Sequence, residues 1–184
     1  MQIVNNKITL MKGETATYDS KLKNYADGSP YVLLDDELSY YAVFTVKSSA
    51  QGYGDYVFRH SIDMSGTHRF DSKTWVSYSS STFDDGVPPT TGNENMLHRN
   101  TSGDYAYYNY TTSAWVEYEF TISFDFSYSD TSTIENKKYL YELVLFGGTP
   151  KAEPEVGDDL PIDITFKMPI VYPIDFFIGG SLSD

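Results

Sequence analysis

Cysteine is absent from the 184 residues, which excludes a disulfide scaffold and a thiolate zinc site alike. Basic residues are scarce: 13 Lys and Arg stand against 26 Asp and Glu, a formal net charge of −13. A nucleic-acid surface needs clustered Lys and Arg to release counterions from phosphate. An anionic membrane surface makes the same demand, so neither partner is expected. The plain reading of this acidity is solubility and resistance to self-association; the sharper one is cation binding or docking on a basic partner. The opening MQIVNNKITL lacks the basic region and long apolar run of a signal peptide. No stretch approaches the length needed to span a bilayer. The chain is therefore expected to be soluble and made in a cytoplasm. Leu, Ala and Glu at helical spacing are also scarce.

What the chain has in quantity is rings, 17 Tyr and 11 Phe, the residues that fill β-structure. Their arrangement is clearest in WVEYEFTISFDFSY, residues 115–128. Val116, Tyr118, Phe120, Ile122, Phe124, Phe126 and Tyr128 alternate with Glu117, Glu119, Thr121, Ser123, Asp125 and Ser127. A period of two places the two sets on opposite faces of a pleated strand. Fourteen residues exceed a typical strand, so a bend or bulge is expected within the run. The segment DYAYYNY, residues 104–110, precedes it across the turn TTSA, and the two read as a hairpin.

Alternation recurs at Leu38, Tyr40, Ala42, Phe44 and Val46, with residues 56–62 as the hairpin partner. Residues 8–22 read as two short strands around Lys12-Gly13, and Asp27-Gly28 offers a tight turn. YLYELVLF, residues 139–146, is apolar on nearly both faces, as a central covered strand would be. Ile162, Ile164 and Phe166 alternate again, and Pro169 and Pro173 confine the last segment to a sheet edge or an extended arm. Between residues 64 and 103 the pattern fails. Only Trp75-Val76-Ser77-Tyr78 and Met96-Leu97 are apolar islands there, which suggests a surface insertion with one or two short strands, and the place for specific function. The expected fold is all-β, an antiparallel β-sandwich of a single domain over residues 1–184. The insertion occupies about 64–103 and the C-terminal arm about 168–184.

Candidate chemistry is sparse. Glu117 and Glu119 share a strand face about 7 Å apart, with Asp125 further on. Such carboxylates serve glycoside hydrolysis or calcium ligation in other settings; here they also read simply as the wet side of an amphipathic strand. His60, His68 and His98 have no metal-ligand spacing, and no nucleophile elbow, phosphate loop or dinucleotide fingerprint occurs. No catalytic residue, cofactor or metal is assigned. Tyr105, Tyr107, Tyr108, Tyr110 and Trp115 cluster at the hairpin, and at least one of their rows should be exposed. They are the candidate interface or glycan contact, the alternative being ordinary cross-strand packing. A carbohydrate-binding module would use Tyr108, Tyr110 and Trp115.

The stretch ITLMKGETATYDSKLKNYADGSPYVLLDDELSYYAVFTVKSS resembles the opening domain of upper baseplate proteins of tailed phages. The shared features are a KGET start into a strand, the DGSPYVL turn, and an alternating strand that ends in polar residues. KKYLYELVLFGGTP and DITFKMPI are similar to two late strands of that family, so the likeness spans about residues 7–62 and 137–178. The resemblance implies an immunoglobulin-like sandwich acting as a non-enzymatic part of the virion. Because the chain given stops at Asp184, without the receptor-protein-holding segments of that family, the expected role is a baseplate or tail accessory or a capsid decoration protein. Its partners would be other virion proteins and further copies of itself in a symmetric assembly.

Overall fold

The structure, a computed structural model, describes residues 2–4, 7–48, 56–153, 155 and 159–181. Strand makes up 54% of it and helix almost none, so the class is all-β. The strands are β1 (Gln2–Val4), β2 (Lys7–Lys12), β3 (Ala16–Leu22), β4 (Leu33–Leu34), β5 (Ser39–Lys47), β6 (Tyr56–Asp63) and β7 (Arg69–Phe70). They continue as β8 (Trp75–Ser77), β9 (Leu97–Arg99), β10 (Tyr105–Asn109), β11 (Ala114–Glu117) and β12 (Phe120–Phe126). After one short helix, α1 (Tyr128–Ser132), come β13 (Lys137–Pro150) and β14 (Ile162–Ser181). Among the described residues, no helix is long and apolar enough to cross a membrane.

The chain gathers into two compact units. The first comprises Met1–Asp19, Glu37–Gly66 and Ser123–Asp184, the second Ser20–Asp36 and Thr67–Ile122. The division falls inside β3 and inside β12.

The first unit contains a six-stranded sheet in the order β1-β2-β14-β13-β5-β6. The alternating run at 38–46 is β5, and β6 is its antiparallel hairpin partner, with Phe44 opposite His60. The run at 139–146 is central, as its two-faced apolarity predicts, with β5 on one side and β14 on the other. Phe44 is fully buried. Its ring stacks on Tyr141 at 5.0 Å and meets Phe126 at 5.1 Å, Phe124 at 5.3 Å and Tyr18 at 5.5 Å. On the other face of the sheet a smaller cluster joins Val43, Leu160 and Ile162. The remaining sheets have four, two and two strands, and the sheets do not form a clearly defined sandwich. Nor is pairing antiparallel throughout: β2 with β14, β4 with β7 and β8 with β9 are parallel.

The segment expected as an edge or arm is strand up to Ser181. It is antiparallel to β13 along its length and gains β2 as a second neighbour only from Phe176 onward. Both prolines precede that point. Pro169 adjoins a register irregularity and Pro173 falls within another. A residue without an N–H is tolerated where the ladder is irregular.

The organising run also divides. β11 ends at Glu117, β12 begins at Phe120, and the two strands have different partners, β10 and β3. Tyr118, Phe120, Ile122, Phe124 and Phe126 are buried as the even row requires. Before the break the parity changes: Trp115 is buried and Val116 half-buried. Tyr128 leaves the row altogether, since Ser127 and Asp130 form a capping box that starts α1 there.

Candidate functional site

The candidate rings lie in the second unit, on a four-stranded sheet of order β11-β10-β9-β8. The hairpin forms as its sequence suggests, with Tyr108 opposite Trp115 and Ala106 opposite Glu117. Asn109 Oδ1 accepts hydrogen bonds from the N–H groups of Thr111 and Thr112, and Ser113 takes φ 54° to close the turn. Alternation along β10 then separates the rings.

Tyr108 and Trp115 turn inward with Ala106. Phe83, His98, Tyr78 and Tyr108 surround the Trp115 ring at 4.9, 5.0, 5.1 and 5.4 Å. Its Nε1 donates to the Val87 carbonyl at 3.0 Å. On the opposite face Tyr107 stacks on His68 at 3.7 Å, and Tyr105 meets Trp75 edge-on at 6.3 Å. Of the five, only Tyr110 is well exposed, at 51%. The expected exposed row is therefore covered. The covers are Tyr78, Phe83 and Val87 on one face and His68, Phe70 and Trp75 on the other. All come from residues 64–103, the stretch expected to be a surface insertion. It carries three short strands, β7, β8 and β9, and supplies core to its unit.

Of the three candidate carboxylates, Glu117 and Glu119 line one cleft of the second unit and Asp125 lies apart. Glu119 pairs with Lys21 at 2.6 Å, and that hydrogen bond and charge hold its carboxyl below the usual range. A glycosidase acid requires the opposite shift. Asp125 belongs to the first unit and accepts from Thr17 Oγ1 at 2.6 Å. The histidines are likewise dispersed. His60 pairs with Asp130 at 3.2 Å in the first unit. His68 Nε2 lies 3.2 Å from Asn95 Oδ1, and His98 Nδ1 lies 2.9 Å from the Met96 carbonyl. Burial lowers the pKa of His68 and His98, against the raising effect of those hydrogen bonds. Among the described residues, no group of three or more His, Cys, Asp or Glu could hold a metal ion.

One constellation has no signature in the sequence. Arg99, at the end of β9, holds its guanidinium carbon 5.3 Å from the Trp75 ring centroid and 5.6 Å from that of Tyr105. It lines a cleft of about 280 Å³ with Lys21, Lys23, Asp104, Glu117 and Glu119. Buried Asn100 shapes the wall: its Nδ2 donates to Ser81 O and Asp104 Oδ2, and its Oδ1 accepts from Asp104 N. The turn so held places Gly103 at φ 96°, beside Arg99 Nη2. The Tyr105 hydroxyl is enclosed without a hydrogen-bond partner; burial raises its pKa, Arg99 pulls the other way, and the Asp27 carboxylate, which accepts from Trp75 Nε1 at 3.4 Å, adds to the rise. No periodicity marks Arg99, because β9 has only three residues.

Compared with known proteins, the chain matches no family model, no curated protein and no solved structure.

Proposed function

We propose that this protein is a non-enzymatic structural component of a tailed-phage virion, a baseplate or tail accessory or a capsid decoration protein. The observation that supports this most is how the resemblance maps onto the fold. Apart from residues 20–36, the segments that resemble the baseplate family, about 7–62 and 137–178, belong to the first unit. Most of what lies between them makes the second. On this reading the first unit is the immunoglobulin-like connector and the second is an elaboration specific to this chain.

Its partners are other virion proteins and further copies of itself. The edge strand β6 begins with Tyr56 and Val57, 53% and 37% exposed. Apolar groups on a sheet edge are a hazard for a free monomer and an asset in an assembly. Mass spectrometry of purified particles tests the proposal. Detection at a fixed copy number per particle is expected; absence from particles of an infection in which the protein is expressed would overturn it.

A further inference from the structure

We propose that the Arg99 cleft of the second unit binds an acidic saccharide, with the sugar carboxylate seated on the Arg99 guanidinium. This goes beyond the virion role and does not depend on it. Over the whole chain acids outnumber bases 26 to 13, yet around this cleft the count is three to three: Asp104, Glu117 and Glu119 against Lys21, Lys23 and Arg99. Lys21 and Glu119 satisfy each other at 2.6 Å, and Asp104 accepts from Asn100. Arg99 has no such partner. Among the described residues it joins none of the ion pairs, and its Nε is enclosed without an acceptor.

A half-buried guanidinium flanked by two rings is desolvated, so a carboxylate that meets its planar fork gains a charge-assisted, bidentate contact. Glu117 is exposed and can accept from ligand hydroxyls, Lys23 can donate to them, and the Tyr105 ring supplies an apolar wall. Donors, acceptors and a ring around one fixed cation suit a sugar acid better than a bare anion. The volume, about 280 Å³, lies at the lower end of small-molecule sites and fits one sugar residue.

The test is calorimetric titration of the full chain with glucuronate, N-acetylneuraminate, neutral glucuronamide, inorganic phosphate and an acetylated glutamate amide. The Arg99 Nε–H resonance is followed in parallel. A sugar acid should bind and shift that resonance, with glucuronamide weaker than glucuronate by at least about tenfold. Arg99→Gln should remove the preference for acid over amide, and Arg99→Lys should reduce it. If the variants misfold, the acid–amide comparison on the unaltered protein still decides. Equal binding of acid and amide, or no binding by either sugar acid, would refute the assignment. A stronger response to phosphate or to the glutamate derivative would refute the saccharide as the ligand.

Discussion

Replacing Phe44 by Ala removes the ring at the centre of the first unit's core. That ring is fully buried and has four ring neighbours at 5.0–5.5 Å, contributed by β3, β12 and β13. Three separate segments converge on it, so the hole it leaves cannot close by shifting one of them. A Phe-to-Ala truncation in such a site costs about 3–5 kcal/mol, a large share of the roughly 5–15 kcal/mol that holds a typical domain folded. With a urea slope of about 2 kcal/mol per M, the midpoint should fall by roughly 1.5–2.5 M. Far-UV circular dichroism is the appropriate probe. Both tryptophans, Trp75 and Trp115, belong to the second unit, so fluorescence reports there and not at the lesion. Phe44→Leu, which refills part of the volume, should cost less, about 1–2 kcal/mol. A midpoint loss for Phe44→Ala below about 0.5 M, equivalent to about 1 kcal/mol, would mean the converging rings are not packed as described.

Gly148→Ala should be among the most damaging small changes, because an added Cβ would lie 2.1 Å from the Asp163 carbonyl oxygen, a backbone atom that cannot swing away. Overpacking of this kind costs about 1–3 kcal/mol or more, whereas Gly86→Ala, strained at φ 79° but in open space, should cost only about 1–2 kcal/mol; thermal melts of the pair rank the two. Trp115→Ala should destabilise the second unit by about 3–5 kcal/mol, read by urea unfolding, and a fully stable variant would show the ring is not enclosed. His68 and His98 should titrate below 6.5, the ordinary value, in an NMR pH series. Their folded pKa lies below the unfolded one, so the unfolded chain takes up more protons between the two values. Stability is then complete above about 6.5 and declines as pH falls through that window; either histidine titrating above 6.5 contradicts this.

How far the fold is legible in the residues depends on the length of each signal. The nine residues of β5 and the seven of β12 carry enough alternations to declare strands; in β12 the alternation also names the buried face, whereas β5 is buried on both faces from Ala42 to Val46. The β10–β11 hairpin is equally plain. Strands β4 and β7 have two residues each, and β8 and β9 three. A period of two cannot be recognised in so short a run, so residues 64–103 look like loop when they are in fact a covering layer. The same shortness hides the state of the candidate site. Rings on both faces of DYAYYNY imply an exposed row only if nothing from 64–103 lies over them, and Tyr78, Phe83, His68 and Trp75 do. The parity change at Trp115 is hidden for a related reason, because a two-residue break between β11 and β12 resets which side faces inward.

From its order of residues alone, this chain settled its class, its longer strands, its two hairpins and its acidity, since alternation and turn chemistry are properties of neighbours along the backbone. Folding in three dimensions decided which rings are covered, that β2 runs parallel to a strand more than 150 residues away, and that Arg99 stands between two rings and, among the described residues, outside the ion pairs. Those outcomes depend on contacts between remote segments, which carry no local pattern and gain their free energy only once the chain has closed on itself.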